Sequence, residues 1–194
     1  MTSAPAQRPS SREGRAPTEL DPTTVEAVKR GDRDAWEAAY LAYGKALMGF
    51  LVLRLHNVDD ANEALSETFL RSLEKASTFR GDGPAFRAWL YRIARNVAID
   101  RMRSRNRVQP VPYAQDAPDL SAPGADEAMI AVESAGEARA ALETLPQEDR
   151  EVVWLRVCAG LSADEVGRIV GKRPGAVRMQ QMRALEAMAR KMSR

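Results

Sequence analysis

Residues 86–105, FRAWLYRIARNVAIDRMRSR, gather three kinds of side chain that can hold a polyanionic strand. Guanidinium groups pair with phosphates, aromatic rings stack on unpaired bases, and a carboxamide reads a base edge. At 100° per residue, Phe86, Leu90, Ile93 and Val97 form one apolar face with Trp89 at its edge. Arg92, Asn96, Ile99 and Arg103 make a second strip. Arg87, Tyr91 and Arg95 make a third, which the spacing predicts to lie off the core. A Gly-containing loop ahead of the helix brings Phe79 and Arg80 nearby. The surface suits single-stranded DNA as well as duplex; the plainer reading is a solvated arginine face over a core helix.

A second set lies near the C-terminus. Ser162-x-x-Glu165 has the spacing of a capping box for a short helix ending at Gly171, and Pro174 fits the start of the next. Two helices joined through a glycine turn form a helix-turn-helix pattern. The second helix presents Arg173, Pro174, Arg178, Met179, Met182 and Arg183 away from Val177, Ala184 and Met188. A recognition helix enters the major groove by its N-terminal half, which makes Arg178 and its neighbours the candidate base readers.

The net charge of +2 conceals a segregation. Residues 86–107 carry seven arginines against Asp100, a net of +6. Residues 108–149 carry nine acids against Arg139, a net of −8, and residues 168–194 carry eight bases against Glu186, a net of +7. Two basic modules around an acidic middle are the footprint of a chain that meets a polyanion in two places.

Other chemistries are poorly served. Cys158 and His56 are the only residues of their types, which leaves no disulfide framework and argues against a His/Cys metal cluster or a Ser/His/Asp triad. No phosphate loop or nucleophile motif is visible. The expectation is therefore a protein without enzymatic activity, cofactor or metal, with Cys158 a small core residue. No apolar run approaches the ~18–20 residues of a membrane span, and the N-terminus lacks the apolar stretch of a secretory signal. This predicts a cytoplasmic location without membrane insertion.

The elements that position these residues are helical throughout. Residues 1–20, rich in Pro, Ser, Ala and Arg, are expected to be a disordered tail. Asp21-Pro22 starts a short helix that stops near Arg30-Gly31, and Asp32 caps a longer one ending around His56-Asn57. Asp60-x-x-Glu63 resembles a capping box opening a third helix, with Leu65, Phe69 (or Thr68) and Leu73 as its apolar stripe. Residues 77–84 form a loop before the fourth helix, so 21–106 makes a four-helix bundle. Prolines 110, 112, 118 and 123 mark a flexible, acidic, Pro-rich linker over 107–132. The C-terminal module, 133–194, contains a helix through Glu137–Leu145 and another over QEDREVVWLRVCAG. The latter buries Val152 or Val153, Leu155 and Val157.

The stretches DDANEALSETFLRSLEKASTFRGDGPAFRAWLYRIARNVAIDRMRSR and LPQEDREVVWLRVCAGLSADEVGRIVGKRPGAVRMQQMRALEAM resemble regions 2 and 4 of extracytoplasmic-function sigma factors of bacterial RNA polymerase, in the family's order. The resemblance implies an all-α fold and a partnership with core polymerase through its β′ clamp coiled coil and β flap. It places Asp60, Glu63, Ser66, Glu67, Leu70 and Arg71 on the clamp, with Ser66 standing where the family usually has Gln. It implies that Phe79, Arg80, Arg87, Tyr91, Arg92, Arg95, Asn96 and Arg103 read an unpaired −10 strand, with a flipped base near Phe79 and Asn96. Arg173, Pro174, Arg178, Met179, Met182 and Arg183 would read the −35 duplex, with Gln180 replacing the usual Arg. Promoter DNA and an anti-sigma factor are the further partners implied. The alternatives are a polymerase-independent helix-turn-helix regulator and a helical adaptor that binds only protein.

Overall fold

A computed structural model describes residues 19–105 and 138–192. The predicted tail, apart from Glu19 and Leu20, and the predicted linker lie outside the described residues. All regular elements among the described residues are helical.

Helix α1 spans Pro22–Lys29, capped by Asp21, whose carboxylate accepts from the Thr23 and Thr24 amides. Helix α2, Arg33–Leu55, starts at Asp32, which accepts from the Ala35 amide at 2.9 Å, and stops at His56 in the left-handed region (φ 53°). Helix α3 covers Val58–Lys75. Its cap is Asn57, bonded to the Asp60 amide at 2.8 Å, so the helix begins a turn before the predicted Asp60-x-x-Glu63 box. Asn57 wins because it sits directly after the helix stop, while Asp60 is drawn to an arginine of α4. A short 3-10 turn, Ala76–Thr78, precedes α4, Gly83–Arg105.

Beyond the linker come α5 (138–143), α6 (Gln147–Val153), a π turn (Trp154–Cys158), α7 (Ala163–Val170) and α8 (Pro174–Met192). The stretch predicted as one helix over QEDREVVWLRVCAG thus changes hydrogen-bond period midway, with the Ala159 amide donating to the Trp154 carbonyl. The extra residue per turn rotates the following side chains relative to an α-helical pattern. Leu155 stays fully buried, but Val157 and Cys158, both expected inside, are exposed.

The two modules, the helical bundle and the helix-turn-helix, share a packed junction. A single apolar cluster contains Phe50, Phe86, Leu90 and Tyr91 together with Val152, Leu155, Leu161, Val166 and Val177. The C-terminal helices pack onto α2 and α4 rather than standing apart. Helix α2 is long and apolar enough to cross a membrane by length and composition, yet half of its most apolar window is buried inside the fold. It is the spine of the core. Phe86 sits at the centre of the N-terminal part, fully buried, with Trp36, Tyr43, Phe79 and Trp89 ring centroids 6.1, 6.3, 5.5 and 5.5 Å away.

The helix-turn-helix follows the predicted chemistry. Ser162 Oγ accepts from the Glu165 amide while the Glu165 carboxylate accepts from the Ser162 amide, completing the box. Gly171 ends α7 at φ 75°, a conformation that L side chains seldom adopt. A Cβ at Gly167 would lie 2.5 Å from the Lys172 carbonyl oxygen, so this glycine lets the turn fold back against its own helix.

Two substitutions test this packing. Phe86→Ala should lower unfolding free energy by about 3–5 kcal/mol in urea titration, as expected for an emptied aromatic site. Gly167→Ala should cost roughly 1–3 kcal/mol by the same measurement, because backbone rather than a mobile side chain must give way. A neutral Gly167→Ala would mean the turn is looser than described.

Candidate nucleic-acid interface

Helix α4 presents its strips unequally. Arg92, Asn96 and Arg103 are exposed, as the helical spacing predicts. The strip of Arg87, Tyr91 and Arg95 is not. Tyr91 is fully buried, 5.5 Å ring to ring from Phe50, and burial pushes its hydroxyl well above the ordinary tyrosine range. Arg87 is buried too: it pairs with Glu19 at 3.4 Å and donates to the Gly160 carbonyl at 3.2 Å. Arg95 is half-buried, and its Nε donates to Glu151 at 2.7 Å. Helical spacing could not anticipate this, because the strip is covered from far along the chain, by Glu19 and Phe50 before it and by Glu151 and Gly160 beyond the linker.

The loop residues divide likewise. Phe79 is buried, packed edge-on against Phe86 and tilted 5.0 Å from Trp89, with the Lys29 ammonium 5.5 Å from its ring centre. Arg80 is exposed, and its guanidinium donates to the Ser77 and Phe79 carbonyls, which holds the loop closed on itself. The outward-facing part near the loop is therefore Arg80, with Arg92, Asn96 and Arg103 along the helix.

On α3 the residues Asp60, Glu63, Glu67 and Arg71 form a charge ladder with the end of α4. Arg101 reaches Glu63 at 2.8 Å and Glu67 at 3.2 Å; Arg71 reaches Glu67 at 2.5 Å and Asp100 at 3.2 Å; Arg105 pairs with Asp60. Such partly exposed pairs contribute little each, but a network holds two helices in one register. Ser66 is exposed with its hydroxyl donating to the Asn62 carbonyl, and Leu70 and Leu73 show apolar surface beside it. The ladder's arginines, Arg101 and Arg105, were not among the predicted site residues. Their signal was the run of arginines ending α4 opposite the acids opening α3.

Helix α8 turns Arg173, Arg178, Met179, Met182 and Arg183 to solvent, with Pro174 half-buried at its start and Val177 and Ala184 buried beneath. Arg178, Met179, Met182 and Arg183 thus share one outer face opposite Val177 and Ala184, with Arg173 and Pro174 at the start of the helix. Gln180 lies beside it, half-buried. It donates to Asp149 at 2.7 Å and accepts from Lys172 at 2.9 Å, while Lys172 also pairs with Glu148 at 2.7 Å. These bonds pin the turn to α6, so the exposed arginines stand on a braced support.

Two functional-looking residues escaped the sequence reading. Arg54 and Glu151 are both buried, paired at 2.7 Å across 97 residues of chain. Burial lowers the proton affinity of the Arg54 guanidinium, the Glu151 charge opposes this, and Arg95 adds to it. An arginine at a core-facing position on the apolar face of α2 was the available clue.

Comparison with known proteins agrees with this division of the chain. Residues 39–108 match the family model described as sigma-70 region 2, and residues 135–188 match that of sigma-70 region 4. The chain is similar to the RNA polymerase sigma-H factor of Pseudomonas aeruginosa, 32% identical over 88% of this chain and 92% of that one. It is also similar to the ECF RNA polymerase sigma-E factor of Salmonella typhimurium, 31% identical over 88% of this chain and 93% of that one. Among solved structures, CnrH bound to the cytosolic domain of CnrY superposes with TM-score 0.62 at 21% identity, covering 89% of this chain and 97% of that one. The sigma factor RpoE of Bartonella quintana, bound to the anti-sigma factor NepR, superposes with TM-score 0.63 at 21% identity, covering 81% and 96%. With both conserved regions in order and curated relatives matched over nearly their whole length, the chain belongs to the sigma-70 family, in its extracytoplasmic-function branch.

Proposed function

We infer that the chain binds core RNA polymerase and directs promoter-specific initiation, and we propose how its surfaces share that work. One observation carries the assignment of surfaces: the same chain exposes an arginine–asparagine strip on α4 and a second arginine–methionine face on the recognition helix α8. Two independent readers of DNA are what a subunit spanning a −10 and a −35 element requires.

On this reading, the α3 face with Asp60, Glu63, Ser66, Glu67, Leu70 and Arg71 docks on the β′ clamp coiled coil. The module over 133–194 meets the β flap. Arg92, Arg103 and Arg80 hold phosphates of the displaced −10 strand, and Asn96 hydrogen-bonds an unpaired base. Arg87, Tyr91, Arg95 and Phe79 belong to the same surface but need rearrangement to touch DNA. Unstacking a base costs a few kcal/mol, which phosphate and stacking contacts can offset. In the −35 groove, Arg178 and Arg183 suit guanine edges, while Met179 and Met182 can meet thymine methyl groups. Neither module needs high affinity alone, since tethering to one enzyme raises the effective concentration of both. No catalytic step or cofactor enters this role.

Work with core polymerase places the protein in the cytoplasm. Two structural neighbours were solved with CnrY and NepR bound, and we propose an anti-sigma partner here as well. The self-contained reading face of α8 supports a second reading, a helix-turn-helix regulator that acts without polymerase. That reading expects tight, salt-dependent binding of the free chain to a palindrome.

Run-off transcription from a genomic promoter library, with core enzyme plus or minus this chain, separates the two; start sites that appear only with both components support the sigma role. Asn96→Ala should slow open-complex formation while core binding stays intact. Alanine at Arg178 or Arg183 should weaken −35-dependent promoter use by about 1–3 kcal/mol each, read as occupancy in footprints. A footprint unchanged by both substitutions would remove α8 from the −35 contact.

A further inference from the structure

The segment from Leu20 to Lys29 brackets the loop that leads into α4. Helix α1 is seated by Val25 and Val28, both buried, which fixes its last turn beside that loop. From this turn Lys29 reaches across 52 residues of chain to Gly81, whose carbonyl accepts from the ammonium at 3.3 Å. The same ammonium lies 5.5 Å from the centre of the Phe79 ring. Glu26, one turn back, pairs with it at 2.5 Å and aims it. The Lys29 side chain is only 16% exposed, so its stem is packed rather than free in water. At the other end of the segment, the Leu20 amide donates to the Tyr43 hydroxyl at 3.1 Å. The Leu20 carbonyl oxygen stands where a Cβ at Gly83 would have to be. Both glycines of the loop are thus met by this segment, Gly83 by Leu20 and Gly81 by Lys29.

The restraints on the loop differ in what they fix. Arg80 donates to the Ser77 and Phe79 carbonyls, and Thr78 Oγ1 donates to the Lys75 carbonyl. These bonds run within the loop and set its shape. Gly81 holds φ 147°, and a Cβ there would fall 2.7 Å from that of Ala85, so the turn follows a path that suits glycine. Packing of the Phe79 ring on Phe86 and Trp89 keeps the ring buried without fixing the Gly81 backbone. Lys29 arrives from a different helix, so its bond sets the loop's place relative to the bundle. A cation over an aromatic face also couples the Phe79 ring to α1. A loop whose carbonyls and ring are already committed loses little freedom when a ligand meets it.

We propose that Lys29 is a positioning residue for −10 reading: from α1 it holds Phe79 and Gly81 in register with Arg92 and Asn96 of α4, and so sets which base the loop accepts. The inference deepens the assignment of Phe79, Arg80 and Asn96 to the −10 strand in the preceding subsection and rests on it. Lys29 acts through the loop rather than by touching DNA. Removing its ammonium leaves the Phe79 ring and the loop's internal bonds in place but frees Gly81 to shift. A misplaced loop slows opening, and it harms the choice between bases more. Discrimination depends on how closely polar groups meet one base edge.

The test compares the full-length chain with Lys29→Met, which keeps the packed stem and loses the charge, and Lys29→Arg, which keeps charge and donor. Hydrogen–deuterium exchange of the free chain reads the loop over 76–83. Open-complex rates of the holoenzyme are measured on one promoter recovered by run-off and on its single-base −10 variants. Lys29→Met should speed exchange in the loop while α2 and α3 keep theirs. It should also lower the rate ratio between the preferred and the poorest base about tenfold, with core binding unchanged. Lys29→Arg should restore both. A merely structural or electrostatic role would slow all these promoters alike and leave the ratio unmoved, which overturns the proposal, as does unchanged loop exchange. A wild-type chain that yields no start sites with core enzyme removes the sigma role and this inference with it. Wild-type start sites with an unmoved ratio in Lys29→Met defeat this inference alone.

Discussion

A single carboxylate shared by two arginines organises this molecule. Glu151 is buried, and its cost of burial is met only because Arg54 and Arg95 reach it from two different helices of the other module. Around that contact the apolar surfaces of α2, α4, α6 and α7 merge into one core. A buried charge tolerates no partial answer: with both partners it is satisfied, and with one removed the remainder is stranded in low dielectric. The junction between the modules is therefore specific as well as apolar.

Helix α4 carries the consequences. Its apolar face builds the bundle around Phe86, its Arg101 and Arg105 lock onto the acids of α3, its Arg87–Tyr91–Arg95 strip meets the C-terminal module, and Arg92, Asn96 and Arg103 face water. A helix has room for these separate assignments because its side chains fan around the axis at 100° steps. The same crowding means that reading DNA with the whole of α4 requires moving something away from it.

Helix α8 meets the opposite condition. Its buried residues are Val177 and Ala184, and Arg178, Met179, Met182 and Arg183 face solvent. Its position is set by the capping box at Ser162 and Glu165, the tight approach at Gly167, and the Lys172–Gln180–Asp149 bonds to α6. A rigid mount beneath an open face is what major-groove insertion needs. The polar bonds spent on the mount explain why Gln180, beside the arginines, is turned to support.

The amino-acid sequence alone determined whatever depends on neighbours a few residues away. Caps at Asp21, Asp32 and Ser162, stops at Gly31 and Gly171, the apolar face Phe86–Leu90–Ile93–Val97, and the outward sets Arg92–Asn96–Arg103 and Arg178–Met179–Met182–Arg183 all follow from local hydrogen bonding and helical period. Tertiary structure decided what depends on partners far along the chain. It buried Tyr91 and Arg87 and gave Arg95 and Arg54 to Glu151. Periodicity specifies which side chains share a face; it carries no information about which surface, arriving across the linker, will come to cover that face.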